Sequence, residues 1–317
     1  MAVYTTLTKP EIESLLAHFN LPNLRNFHGS TSGIENTTYF VTLNNGSQYV
    51  LTVFESFSAD ALRPYIHLMS LLGNHKLPVS SPCIDKEGIA LQTIANKPAL
   101  LFPRSPGKHI EIPTSENCHA VGCMLARIHL VTLNISSNSP ALLNPCDLSW
   151  MNETLGLIKS SLDQTDIKIL QDQIRLYADL DSRQLPRAVI HGDLFRDNVL
   201  IENDNITAVI DFYNAGEDIL LMDLAIAAND WCNAHTSATD NNKNIDALLN
   251  GYQLHRPFSA TEFNSWQECL QVAAARLWLS RQKRLVLSQL GNKGAVKDPS
   301  EYRVLLLDYL KISLAPI

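Results

Sequence analysis

An acid, an amide five positions on and a second acid after the next strand-like run are the residues of this chain best suited to chemistry. Asp193 and Asn198 lie in one polar loop, Val189 to Leu200, flanked by short β-forming runs. Asp211 closes the run Ile206 to Ile210. Phosphoryl transfer needs one carboxylate to orient an attacking hydroxyl and accept its proton. It also needs hard oxygen ligands that hold magnesium against the phosphates of ATP. Asp193 suits the first task, and Asn198 and Asp211 suit the second. Any one of them alone reads as an ordinary turn residue; in strand–loop–strand–turn–strand–acid order they point to a kinase. His191 is expected to shape the loop as structural support rather than act as the base. Asp223, an acid among apolar residues at a helix start, reads as a cap or a buried partner, with His191 as the candidate it meets.

A second segment, His28 to Asn36, joins two strand-like stretches and is rich in small residues. Glycine and serine let backbone N–H groups approach a phosphate. A plain hairpin turn has the same composition. Its place upstream of the catalytic segment makes Ser32, Gly33, Glu35 and Asn36 candidates for covering the phosphates of a nucleotide.

These residues need a scaffold. Thr8, Pro10 and Glu11 mark the start of a first helix through a capping box and a first-turn proline. Tyr39 to Leu43 and Tyr49 to Phe54 read as strands around the turn signal Asn44-Asn45-Gly46. A helix is expected over Ala59 to Asn74. Ile89 to Ile94 and Ala99 to Phe102 form a second hairpin through Ala95 to Pro98. Pro103, Pro106 and Gly107 break the pattern, which puts a lobe boundary near 103. Beyond it helical periodicity dominates: Glu116 to Leu130, Met151 to Ser161, Asp166 to Leu180, Leu220 to Cys232 and Thr261 to Leu290. The expectation is an α+β chain in two lobes. Residues 1–103 would form a small sheet-rich lobe that binds ATP, and 104–317 a mostly helical lobe with the catalytic loops and acceptor site.

Bulk properties agree with a globular enzyme and exclude other classes. The 317 residues suffice for two cores, with 45% hydrophobic and 18% charged residues. A net charge of −7 argues against a nucleic-acid partner. No apolar run is long enough to span a bilayer, and no secretory signal is visible, so no membrane partner is expected. Six cysteines fall singly, without the spacing of a zinc or redox site, which suits a reducing cytoplasmic setting. The ten histidines show no spacing that would hold a hydrolytic metal.

Val189 to Leu200, with His191, Asp193, Asn198 and then Asp211, resembles the aminoglycoside phosphotransferase and choline kinase superfamily. Further segments sharpen the resemblance: Gly33-Ile34-Glu35-Asn36-Thr37, Tyr49 to Glu55, Ile210 to Tyr213, Asp223 to Ile226, Asn229-Asp230-Trp231-Cys232, Gly251-Tyr252 and Arg276 to Arg281. Together they are similar to bacterial homoserine kinases of the kinase-fold type over nearly the whole chain. The resemblance implies a two-lobed, protein-kinase-like fold with a small antiparallel sheet and a larger helical lobe. It implies ATP and Mg2+, and transfer to the side-chain hydroxyl of L-homoserine in threonine biosynthesis. It departs from protein kinases at the third strand, where Thr52 stands in the place of the phosphate-binding lysine, and at Tyr213, where those enzymes have glycine.

An amino-acid acceptor carries an ammonium and a carboxylate, so its pocket should offer an acid and a base. Asp230 beside Trp231 could take the ammonium, and Arg196 or Arg281 the carboxylate. Tyr213 with Trp231 could instead wall a choline site. The plainer readings are that Arg196 braces the loop, that Trp231 is core, that the basic cluster around Arg281 is a solvated face, and that His129 is a satisfied helix histidine. A methylthio-sugar or aminoglycoside acceptor, and a nucleotide-binding regulator without turnover, are the competing functions.

Overall fold

The computed structural model describes residues 3–30, 35–135, 142–233, 238–290 and 296–314. It divides into two compact units, one built from Met1–Gly107 and Thr207–Tyr213, the other from Lys108–Ser137, Leu142–Ile206 and Asn214–Ile317.

The first unit opens with α1 (Lys9–Leu16), where the Thr8 backbone N–H and hydroxyl both donate to the Glu11 carboxylate at 2.7 and 2.6 Å. There follow β1 (Leu24–Gly29), β2 (Thr37–Leu43), β3 (Gln48–Val53), α2 (Ala59–Asn74), β4 (Gln92–Ile94) and β5 (Lys97–Pro103). The strands form one antiparallel sheet in the order β1-β2-β3-β5-β4. Ala95 and Asn96, both at positive φ, make the two-residue turn between β4 and β5. Alternation decides which face is covered. Tyr39, Val41, Leu43, Leu51, Val53, Ala99 and Leu101 turn one way and close on Ile12, Leu15 and Leu16 of α1 in a single apolar cluster. Each buried leucine, isoleucine or valine among them stabilises by roughly 1.5–3 kcal/mol.

The chain returns to this unit at Thr207–Tyr213. Val79 pairs with Val209 in a parallel bridge, fixed by Ser80 N–H to Val209 O at 3.0 Å and Val209 N–H to Pro78 O at 2.7 Å. Local periodicity assigned this segment to the second lobe, because nothing near it in sequence announces a partner more than a hundred residues earlier.

The second unit contains α3 (Ser115–Thr132), α4 (Leu148–Ile158), α5 (Gln164–Ser182), β6 (Arg187–Ile190) and β7 (Val199–Glu202). β8 (Asn205–Val209) follows β7 after Asn203 and Asp204, again both at positive φ, and carries the chain back to the first unit. β9 (Gly216–Ile219) pairs antiparallel with β6. The helices α6 (Leu220–Trp231), α7 (Ala238–Gln253), α8 (Ala260–Gln289) and α9 (Ser300–Leu314) complete it. Helices α3 and α7 touch backbone to backbone at two glycines. A Cβ on Gly122 would stand 2.0 Å from the Leu248 carbonyl oxygen, and one on Gly251 would stand 2.1 Å from that of His119.

Candidate active site

Asp193 sits in the loop between β6 and β7. Two amides address its carboxylate: Asn198 Nδ2 at 3.2 Å and Asn214 Nδ2 at 3.3 Å. Asn198 Nδ2 also donates to the Asp193 carbonyl at 2.8 Å. With its N–H bonds directed at Asp193, Asn198 keeps Oδ1 as a hard donor for a cation. The turn before Asp193 needs a glycine. Gly192 has φ +76, and a Cβ there would lie 2.6 Å from the Asn214 carbonyl oxygen. The imidazole of His191 accepts from the Asp193 N–H at Nδ1, 3.2 Å away, so it shapes the loop from within.

The loop backbone is gripped from α6. Asp223, fully buried, accepts from His191 N–H at 2.8 Å and Gly192 N–H at 2.9 Å. The same carboxylate meets His129 of α3 through Nε2 at 3.0 Å. Sequence reasoning paired Asp223 with His191, which it meets through the backbone N–H, and missed the imidazole of His129, which lies on another helix. Burial alone would raise the Asp223 pKa. The His129 bond and the charges and backbone N–H around it prevail and hold the carboxyl below its ordinary value.

The acceptor candidates divide. Trp231 is fully buried, and its indole N–H donates to the Leu194 carbonyl at 3.0 Å. It is a core residue that braces the loop and has no open face for a ligand, which corrects the expectation of an aromatic wall. Arg196 and Asp230 satisfy each other. Asp230 Oδ2 accepts from Arg196 N–H at 2.8 Å and Nε at 3.0 Å, Oδ1 accepts from Nη2 at 3.2 Å, and Nη1 donates to the Glu111 carbonyl. Their charges therefore fasten the loop to α6. Arg281 lies over the Tyr302 ring at 4.3 Å, donates to the Asp298 carbonyl at 2.8 Å and pairs with Glu301 at 2.5 Å. Asp193 is felt nearby: burial, with its charge among the causes, raises the Tyr302 phenol and the Cys146 thiol.

In the first unit, Asp211 has φ +64, a left-handed conformation that few side chains other than Asn and Asp accept. Tyr213 beside it packs edge-on against Phe54 at 4.9 Å and Tyr65 at 5.9 Å. Burial, and then the Asp211 charge, push its phenol well above the usual range. Thr52 pairs with Thr38 and Leu100 on the sheet face opposite the apolar cluster. Asn36 Oδ1 accepts from the Glu55 N–H at 3.4 Å, and Glu35 is exposed. Ser32 and Gly33 lie outside the described residues. Among the described residues no group of three His, Cys, Asp or Glu side chains could hold a metal ion by itself. An oxygen-donor site completed by phosphates does not require one.

Two contributors escaped the sequence reading. Asn214 touches Asp193 from just beyond Tyr213. A buried cluster underlies β9: Asp218 accepts from Arg276 Nη1 at 2.8 Å, Tyr177 OH at 2.9 Å and Asn144 Nδ2 at 2.8 Å. Arg276, which stands five positions before Arg281 in the basic cluster that the sequence reads as a solvated face, is buried beside Asp218.

The carboxylate of Asp193 is held by two amides, and residues 28–258 match the Phosphotransferase enzyme family. The chain belongs to that family. Within it, the chain is 37% identical over 306 residues to the homoserine kinase of Methylobacillus flagellatus, covering 96% of this chain and 94% of that one. It is 36% identical over 312 residues to the homoserine kinase of Pseudomonas aeruginosa, covering 96% of each. Among solved structures, amicoumacin kinase hAmiN in complex with AMP-PNP and Ca2+ shares the fold with a TM-score of 0.73 at 16% identity, over 96% of this chain and 92% of that one.

Proposed function

We propose that this chain transfers the γ-phosphoryl group of ATP to the side-chain hydroxyl of L-homoserine, giving O-phospho-L-homoserine and ADP, a step of threonine biosynthesis. The near full-length likeness to homoserine kinases carries the acceptor assignment. The setting of Asp193 supports the chemistry. Its carboxylate, oriented by the Asn198 and Asn214 amides, accepts the hydroxyl proton as the hydroxyl oxygen forms its bond to the γ-phosphorus. The bond from that phosphorus to the bridging oxygen breaks, and ADP leaves with the electron pair. Asn198 Oδ1 and the Asp211 carboxylate are oxygen donors that fit Mg2+, which when bound neutralises charge on the phosphates. Glu35, Asn36 and Thr52 belong to the nucleotide side, as do Ser32 and Gly33.

For the acceptor carboxylate, Arg281 is the arginine we favour among those singled out in the sequence. Its ion pair with Glu301 is exchangeable, since the Glu301 side chain is 67% exposed. Arg196 and Asp230 are engaged with each other. Among the described residues no helix is long and apolar enough to cross a membrane. Six free cysteines suit a reducing cytoplasmic setting.

ADP release with ATP and magnesium, measured against L-homoserine, choline, L-serine, methylthioribose and kanamycin, tests the assignment. Strong preference for L-homoserine is expected. Turnover of another acceptor overturns the acceptor and keeps the kinase. Silence across the panel with ATP bound leaves a regulator.

A further inference from the structure

We infer that His129 and Tyr252 are positioning residues of the transfer reaction, two links of a directional hydrogen-bond chain that runs from Arg256 through Tyr252 and His129 to Asp223 and so holds the backbone of the catalytic loop. This inference rests on the phosphotransfer reading given above.

Every link has its distance. Asp223 holds the loop through His191 N–H and Gly192 N–H. His129 Nε2 lies 3.0 Å from Asp223 Oδ2 and Nδ1 lies 2.8 Å from the Tyr252 hydroxyl. Arg256 Nη1 lies 3.3 Å from that hydroxyl and 2.7 Å from Glu262 Oε1. Direction follows from donor and acceptor inventory. An ionised Asp223 only accepts, so His129 must carry its proton on Nε2. Nδ1 is then an acceptor, and the Tyr252 O–H donates to it. The phenol oxygen is left to accept from Arg256, whose charge is balanced by Glu262. Burial holds the Tyr252 phenol well above its usual range, so it keeps the proton the chain requires.

The chain is also fixed mechanically. His129, Asp223, Tyr252 and Glu262 are buried. The Tyr252 ring stacks on Phe258 at 5.2 Å and 11°. The next residue back, Gly251, admits the His119 carbonyl of α3 where any Cβ would collide. That close approach brings α7 near enough for a tyrosine hydroxyl to reach an imidazole on α3. Neither His129 nor Tyr252 is placed to touch substrate; they act through Asp223.

Three variants test it, with Asp193→Asn as the dead reference: His129→Leu, His129→Gln, whose amide can still donate toward Asp223, and Tyr252→Phe, which keeps the stacked ring. His129→Leu is expected to lower kcat for L-homoserine by about 10- to 100-fold, the cost of one hydrogen bond to a charged group. KM for ATP and for L-homoserine should hold. Gln should recover part of the loss, and Tyr252→Phe should lose less than Leu. Wild-type kcat in His129→Leu, no recovery in Gln, or a change confined to KM overturns the proposal. Nitrogen-15 spectra of the histidines decide independently of turnover and of whether His129→Leu folds. His129 should be the Nε2–H tautomer, with the Nδ1 resonance moving in Tyr252→Phe; an Nδ1–H tautomer overturns it. If wild type turns over another acceptor, the functional reading fails while the tautomer result still judges the chain.

Discussion

The two units keep their shape by different means. The first relies on apolar burial: α1 and one sheet face close over leucines, valines and a tyrosine, and the least exposed of the ion pairs among its described residues, Lys97 with Glu55, still has side chains 36% and 14% exposed. The second buries charge. Arg276 and Asp218 are 5% and 0% exposed, and Asp223 with His129 is fully enclosed. Apolar contact is tolerant of small shifts, whereas a desolvated charge demands its partner at one place. A sheet that forms a platform can be built the first way. A loop proposed to hold a general base within hydrogen-bond reach of a hydroxyl gains from the second.

That contrast can be broken by experiment. The largest effect belongs to the proposed base: Asp193→Asn should lower kcat by roughly 10²- to 10⁴-fold with ATP affinity retained, read by turnover and by nucleotide titration. Next, Arg276→Met strands Asp218 as a buried charge and should cost about 3–5 kcal/mol in denaturant unfolding. If the cost is below that of an exposed pair, the second unit does not depend on its buried charges. In the first unit, Leu51→Ala should cost roughly 2–5 kcal/mol through lost burial and a cavity. Lys97→Met should cost about 1 kcal/mol or less, because its pair is partly solvated.

Acid gives the finest test. The folded pKa of Asp223 is depressed, so its contribution to stability is complete above the unfolded value of about 3.9 and is lost as pH falls through the lower folded value. Unfolding measured from pH 6 downward should therefore show an acid limb that is reduced in Asp223→Asn. An identical limb in that variant assigns the acid loss elsewhere.

Much of this was legible in the sequence. The bounds of α2, the caps of α1, the hairpin turns and the polar loop from Val189 to Leu200 are written in local signals: periodicity, turn residues and side chains that bond within four positions. What stayed hidden depends on distance along the chain. Gly216–Ile219 is not among the strand-like runs of the sequence and becomes β9 by pairing with β6. Asp218 and Arg276 are 58 residues apart, and His129 and Asp223 are 94 apart. Arg196, Asp230 and Trp231 were each recognised as notable. Their types alone could not tell a ligand contact from an internal brace, since both uses call for the same arginine, carboxylate and indole.

The bond from Trp231 to the Leu194 carbonyl turns a brace into an optical gauge. The chain has four tryptophans, and this indole is tied to the loop that carries Asp193. Indole emission responds to the polarity and hydrogen bonding around the ring N–H. The protein therefore carries its own dye at the catalytic loop, and replacing the other three tryptophans would let its colour report each rearrangement of that loop without a label.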